Sequence, residues 1–279
     1  HDLTKTVRTL RDRQQRKLAA QREELRRTEG REDIRHQAEL VTANIYRLRR
    51  GDRSLECEDY YDPACPVVHI ELDPLKTPQQ NAAALYKEYN KLKAAEQHLT
   101  VLTREGERQL DYLNSVLDEL ERAETDRDLS DIRRELTETG YIRARKGGKA
   151  ERVKPQSPLK FISDDGLEIL AGRSNAQNDE LTLKLARRTD YWLHTQRVHG
   201  SHVIIRCEGE EPPPRTLEQA AGIAAYYSQA RGAGKVQVDY TMVRNVRKPS
   251  GALPGKVIYT DHKTMLAESD GALAERLKR

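Results

Sequence analysis

Aromatic side chains are scarce in this sequence. They make up 5% of its 279 residues, with a single Phe and a single Trp. A large globular core is hard to fill from that supply, the more so with 34% charged residues and a strongly negative mean hydropathy. Long solvated helices carrying one compact domain suit the mixture better. Uninterrupted apolar sequence is missing as well: no run approaches the ~20 residues that a bilayer crossing needs, and no secretory leader is recognisable. Cysteine is limited to Cys57, Cys65 and Cys207, an odd number without a Cys-x-x-Cys pair. That argues against a disulfide framework and for a reducing, cytosolic setting; a bridge between Cys57 and Cys65 across a turn stays open. The opening His1-Asp2-Leu3 carries no methionine and runs straight into helix-forming sequence, so the chain is expected to be part of something longer. Net charge is only +4, too little to argue by itself for a nucleic-acid partner. Its distribution is more informative.

What is abundant is helical periodicity. From Leu3 to about Arg49 apolar residues recur in steps of three and four (Leu3, Val7, Leu10, Leu18, Leu25, then Ile34, Ala38, Val41, Ile45, Leu48) with no proline. This is a narrow stripe on a long helix, and Gly30 is expected to weaken the helix rather than end it. A second stripe follows Thr77-Pro78: Leu85, Tyr89, Leu92, Leu99, Leu110, Leu113, Leu117 and Leu120, softened by Glu96, Thr103 and Gly106. About 45 such residues span roughly 70 Å. Two stripes joined by a short insert bury themselves most simply against each other, as an antiparallel coiled-coil arm; a dimerisation zipper is the alternative. Within the insert, 51–78, Leu55–Tyr61 and Val67–Leu72 read as short strands around an Asp62-Pro63 turn, a small cap at the turn-around. A short helix from Leu129 to Leu136 ends near Gly140.

Residues 141–155 carry six Lys or Arg against one Glu. They read as a basic linker, either a solvated tether or a source of phosphate contacts. Beyond it the pattern becomes mixed. Strands are expected at 160–163, 167–171, 191–194, 203–207, 236–243 and 256–260, and helices at 180–186 and 216–231. These form one compact domain over 156–279 after an arm over 1–140, so the fold class is α+β.

Chemistry-bearing residues are few. Gly200-Ser201-His202 lies between two expected strands. Its backbone N–H groups and the flanking His194 could hold a phosphate, or the segment is a plain hairpin. Ser201 lacks the Gly-x-Ser-x-Gly elbow and an evident acid to orient His202, which disfavours nucleophilic catalysis. His194, His199, His202 and Cys207 lack zinc-ligand spacing. Gly251 to Lys256 has glycines and a lysine but not the Walker spacing. Together with Arg244, Arg247 and Lys248 it reads as a basic loop between strands, suited to phosphates or simply solvated. Trp192, and at least one of Tyr226 and Tyr227, belong in the core. An aromatic face for stacking single strands is not on offer.

Several ordered motifs resemble one family. Gly172-Arg173-Ser-Asn175-Ala-Gln-Asn178-Asp179-Glu-Leu181, Asp190-Tyr-Trp192-Leu-His194, Gly200-Ser201-His202-Val203, Val238-Asp239-Tyr240-Thr241, Val246-Arg247-Lys248-Pro249 and Pro254-Gly255-Lys256-Val257 resemble the NFACT-R domain. Leu72-Asp73-Pro74, Asn81-Ala82, Tyr89-Asn90-Lys91 and Ile132–Leu136 with Gly140-Tyr141 resemble the coiled-coil and middle region of the same proteins. These are RqcH in bacteria and NEMF in eukaryotes, also called fibronectin-binding-protein-A-like. Ser174 stands where the family usually has Asn, and His199 where Pro commonly precedes the turn.

The resemblance implies ribosome-associated quality control in the cytoplasm. Family members bind a large ribosomal subunit holding an obstructed peptidyl-tRNA and recruit charged tRNA, so that the stalled chain gains a C-terminal tail (alanine in bacteria). Peptide transfer uses the ribosome's own centre, so the protein positions substrates instead of catalysing. The family's main tRNA-selecting elements lie upstream of the matched region, and this chain is not expected to elongate tails alone. It is expected to be no enzyme, to need no cofactor or metal, and to bind RNA (rRNA and tRNA) through Arg173, His194, Ser201, His202, Arg244, Arg247, Lys248 and Lys256. A protein–protein adaptor working through the cap is the main alternative, and a fibronectin-binding surface adhesin is the other.

Overall fold

The computed structural model describes residues 2–143 and 156–279, so the basic linker expected over 141–155 lies, from residue 144 on, outside the described residues. The fold is mixed α+β, with long helices in the N-terminal half and the main sheet in the C-terminal half. Among the described residues no helix is long and apolar enough to cross a membrane. Two compact units share the chain: Gln14–Glu107, and the residues up to Arg13 together with Arg108–Arg279.

In the first unit, side chains of helix α1 (Asp2–Arg26) and of the helix Arg31–Ala43 reach helix α3 (Pro78–Arg122). The Gln14 amide donates to the Gly106 carbonyl (3.1 Å), and Arg31 meets Glu96 at 2.6 Å. Leu18 and Leu99 are buried in this unit. Gly106, a soft position in the stripe, permits close approach: a Cβ there would lie 3.1 Å from Gln14 Nε2 and 3.2 Å from Leu18 Cδ1. The helix expected to continue to Arg49 is interrupted. α1 ends at Arg26, and α2 occupies Arg31–Ala43. Between them the Thr28 hydroxyl donates to the Leu25 carbonyl (2.6 Å). This competes with the helical backbone pattern just before a glycine that disfavours helix.

The cap pairs β1 (Ser54–Glu58) with β2 (Val67–Glu71) antiparallel, Ser54 opposite Glu71. Strand alternation turns Leu55, Cys57 and Ile70 onto Leu40 and Val41 of α2 and Ala82 of α3. Cys57 is buried there and Cys65 is exposed, both as free thiols.

In the second unit, Leu3 and Val7 of α1 pack with Leu113, Val116 and Leu120 of α3 and with Ile132 and Leu136 of α4 (Asp126–Glu138). This compact unit runs through residue 140 and gathers the residues up to Arg13 and those from Arg108 on. The sheet runs in the order Lys263–Glu268, Lys235–Met242, Tyr191–Thr195, Val203–Ile205, Glu168–Ala171, Leu159–Ile162, and every pairing is antiparallel. Its strands are β3 (Leu159–Ile162), β4 (Glu168–Ala171), β5 (Tyr191–Thr195), β6 (Val203–Ile205), β7 (Lys235–Met242) and β10 (Lys263–Glu268). Both faces are covered, so successive residues alternate between two cores. Leu193, Val203, Ile205 and Ile169 pack under the alanine-rich α6 (Pro214–Tyr226) and the C-terminal α7 (Gly271–Leu277). Trp192 and Ile204 face the other way, onto Leu181, Val243 and Val246.

The helix expected at 180–186 is α5 (Asn175–Glu180) running into a π-helical turn, Leu181–Leu185. The strand expected at 256–260 shrinks to β9 (Ile258–Tyr259), paired with β8 (Val246–Arg247).

Candidate nucleic-acid interface

The family-like motifs meet in a buried polar latch. Asn178 of α5 accepts from the His202 backbone N–H (3.0 Å) and donates to the Gly200 carbonyl (3.2 Å). The Ser201 hydroxyl donates to the Gly172 carbonyl at 2.5 Å, and its backbone N–H is taken by the Tyr227 carbonyl at 2.9 Å. His202 Nδ1 lies 2.8 Å from the Thr182 hydroxyl. Asn175 donates to Ser115 of α3 (2.8 Å). Glycine is required at two of these points, because a Cβ on Gly172 would run into Asn178, and one on Gly255, at φ +78°, into Asn175.

This arrangement corrects part of the expected contact set. Ser201 and His202 are 1% and 2% exposed, and the Ser201 and His202 N–H groups expected to greet a phosphate are consumed internally. Burial pushes the His202 imidazole well below its ordinary pKa, with His194 adding repulsion. Burial likewise brings partly buried His194 down to about 4, so both rings are neutral near pH 7 and carry no charge for a polyanion. Arg173 is tied to Asp128 at 3.4 Å and to the Ser157 carbonyl at 3.1 Å. Lys248 is tied to Asp179 at 2.8 Å and to the Leu253 carbonyl at 2.7 Å. Asp179 also accepts from the Gly255 N–H (3.2 Å), so Lys248 clamps the loop from inside. A cleft lined by Arg122, Asp128, Gly172, Arg173 and Tyr227 offers no spare cation, because Asp118 neutralises Arg122 at 2.8 Å. His194 and His202 meet edge to face, ring centroids 5.5 Å apart, and among the described residues no three His, Cys, Asp or Glu side chains are grouped as metal ligands would be.

Three expected residues do face solvent: Arg244, Arg247 and Lys256. Lys256 has Asp111 at 3.8 Å, a loose exposed pair of little energetic weight. Arg244 and Arg247 have no ion pair among the described residues. Their neighbours are not evident from the sequence pattern. The Arg244 N–H donates to the Arg188 carbonyl (3.1 Å), which brings the exposed run Lys184, Arg187 and Arg188 to the same edge. The dipeptide Arg187-Arg188 follows an expected helix in sequence, and only the fold joins it to the turn Val243–Asn245 that precedes β8.

Residues 158–261 match the NFACT protein RNA binding domain. The basic edge therefore lies in a domain of an RNA-binding class. Residues 1–155 match the NFACT N-terminal and middle domains, and the chain belongs to the NFACT family of RqcH and NEMF proteins. It is 37% identical over 280 residues to "Rqc2 homolog RqcH" of Bacillus subtilis (strain 168), covering 100% of this chain and 49% of the relative. To the protein of that name in Streptococcus suis (strain 05ZYH33) it is 38% identical over 266 residues, 95% of this chain and 47% of the relative. The chain thus spans about half the length of the curated relatives it matches. The solved C-terminal part of "the fibronectin/fibrinogen-binding protein from Streptococcus suis (FBPS)" superposes with a TM-score of 0.80 at 33% identity, covering 100% of this chain and 96% of that one.

Proposed function

We propose that the chain is the middle and RNA-binding portion of a cytoplasmic ribosome-associated quality control factor. On this reading its sheet domain grips RNA, rRNA or tRNA, on a large subunit obstructed by peptidyl-tRNA. The paired helices serve as an antiparallel coiled-coil arm that gives reach. The chain positions substrates for C-terminal tailing of the stalled product and is not itself a catalyst. Family membership supports the setting. The observation that carries the RNA claim is the set of exposed cations without acidic partners among the described residues, Arg188, Arg244 and Arg247, in a domain matching an RNA-binding class. Co-sedimentation of the chain with large subunits across a salt series tests it. Binding is expected to weaken steeply with salt and to fall when Arg244 and Arg247 become Glu; a flat salt response would end the proposal.

A second reading has an observation of its own. The cap exposes Tyr60, Tyr61 and Val67, with Leu75 beyond it, which suits a protein partner. If the cap is the docking element, Tyr60→Ala with Tyr61→Ala abolishes subunit association while RNA affinity persists.

A further inference from the structure

Alternation in the β8–β9 hairpin sorts its side chains between two environments. Val246, Val257 and Tyr259 pack with Leu181, Ala186, Trp192 and Val243. Arg247 and its register partner Ile258 are left facing solvent. The π-helical turn and the residues after it behave alike: Leu181 is buried and Ala186 is packed, whereas Leu183, Lys184, Leu185, Arg187 and Arg188 are exposed. Two backbone bonds stitch the segments together, Arg244 N–H to the Arg188 carbonyl (3.1 Å) and Val243 N–H to the Asp190 carbonyl (2.9 Å). Cations and aliphatic side chains therefore share one edge.

The acids nearby do not cancel that charge. Asp190 is buried and answers Arg206 at 3.1 Å. Glu208 meets Arg187 at 3.1 Å, but both are well exposed, and such pairs are weak. Among the described residues the edge also offers no free Trp, Tyr or Phe face, and its one exposed ring is the His262 imidazole beside Tyr259. Trp192 is fully buried. Tyr259 has its ring against Trp192 (centroids 4.7 Å) and His262 (5.2 Å), and its hydroxyl donates to Asp239 (2.7 Å). Single-strand binders rely on aromatic platforms for unstacked bases. Paired RNA is held instead by its shape, through cations on phosphates and contacts to the sugars. Leu185 and Ile258 are suited to lie against sugar edges between those phosphates.

We propose that the edge formed by Lys184, Arg188, Arg244 and Arg247, with Leu185 and Ile258, binds the sugar–phosphate backbone of a paired RNA segment, neither reading its sequence nor stacking on its bases. The inference rests on the RNA-binding reading above and narrows it to one class of RNA and one surface.

The test compares the 279-residue chain on a fully paired RNA hairpin, the hairpin with scrambled sequence, and an unstructured strand of equal length, beside sedimentation with large subunits. Both hairpins are expected to bind alike and about ten-fold or more tighter than the strand. Arg244→Glu with Arg247→Glu is expected to weaken hairpin binding about ten-fold or more and to lower the salt slope by about one per arginine removed. Its unfolding temperature is expected to stay unchanged, and if that variant folds poorly, Arg188→Ala with Arg247→Ala carries the same comparison. Equal or tighter binding of the strand overturns the inference. So does hairpin affinity that ignores the substitutions while subunits still sediment with the chain, an outcome that leaves the ribosomal reading standing. Loss of sedimentation with unchanged hairpin affinity would assign the edge to a protein partner and overturn it too. If the unaltered chain binds neither RNA nor subunits, both proposals fall.

Discussion

Glu119 and Glu135 are each 2% exposed, yet they differ in how they are held. Glu135 accepts from the Tyr112 hydroxyl (2.7 Å) and from the Ala176 N–H at the start of α5 (2.8 Å). Both Glu119 oxygens lack a hydrogen-bond partner. Glu119 has Arg122 and Asp118 on its own helix, Glu135 on α4 and the Asn175 backbone of α5 around it. Asp179 adds repulsion on Glu135. Burial, then mutual repulsion, raises Glu119 well above the ordinary carboxyl range, and burial raises Glu135. A raised folded-state pKa gives stability that is complete below the unfolded value of about 4.3 and is lost as pH rises through the folded value. Glu119→Gln, neutral and of the same shape, escapes that loss. It is expected to match or exceed the native chain in thermal melts at pH 8, with the difference shrinking toward pH 5. Asn178→Leu strands the buried His202 N–H and Gly200 carbonyl, and equilibrium unfolding should show a loss of about 2–4 kcal/mol. Residue type in the sequence pointed to phosphate chemistry for Ser201 and His202. What it could not convey was burial, because the partners that consume them lie 20 or more positions away, at Gly172, Asn178, Thr182 and Tyr227.

Among the elements, those with strong periodicity were legible and those made by pairing were not. The 45-residue α3 begins at Pro78 as its stripe suggests, and β1 and β2 flank the expected turn. By contrast β10, Lys-Thr-Met-Leu-Ala-Glu, has a composition equally at home in a helix. It becomes a strand through six paired positions along β7, from Lys263 opposite Tyr240 to Glu268 opposite Lys235. α4 starts three residues before the Leu129 that the sequence pattern suggests, and its capping box closes with Asp128 rather than Glu or Gln. Thr125 accepts from the Asp128 N–H while Asp128 accepts from the Thr125 N–H (2.9 Å). Thr125→Ala is therefore expected to cost about 1 kcal/mol, measurable by chemical denaturation.

For the molecule as a whole, the core of the second unit takes residues from distant parts of the chain. Leu3 and Val7 pack with Leu113, Val116, Ile132 and Leu136, so folding must close a long loop before that burial rewards it. Leu3→Ala with Val7→Ala is expected to destabilise this unit by about 3–5 kcal/mol and to speed its unfolding, as followed by Trp192 fluorescence. The charge pattern obeys a different logic. A net +4 conceals the fact that cations inside the unit are matched by acids, as Arg122 is by Asp118 and Lys248 by Asp179. Unmatched ones stay outside, as at Arg244 and Arg247. Since the glycine and asparagine contacts of the latch hold the frame without help from those outer arginines, the two can be altered independently. The exterior can be rewritten to grip harder, let go, or prefer another polyanion, while the frame beneath keeps its shape.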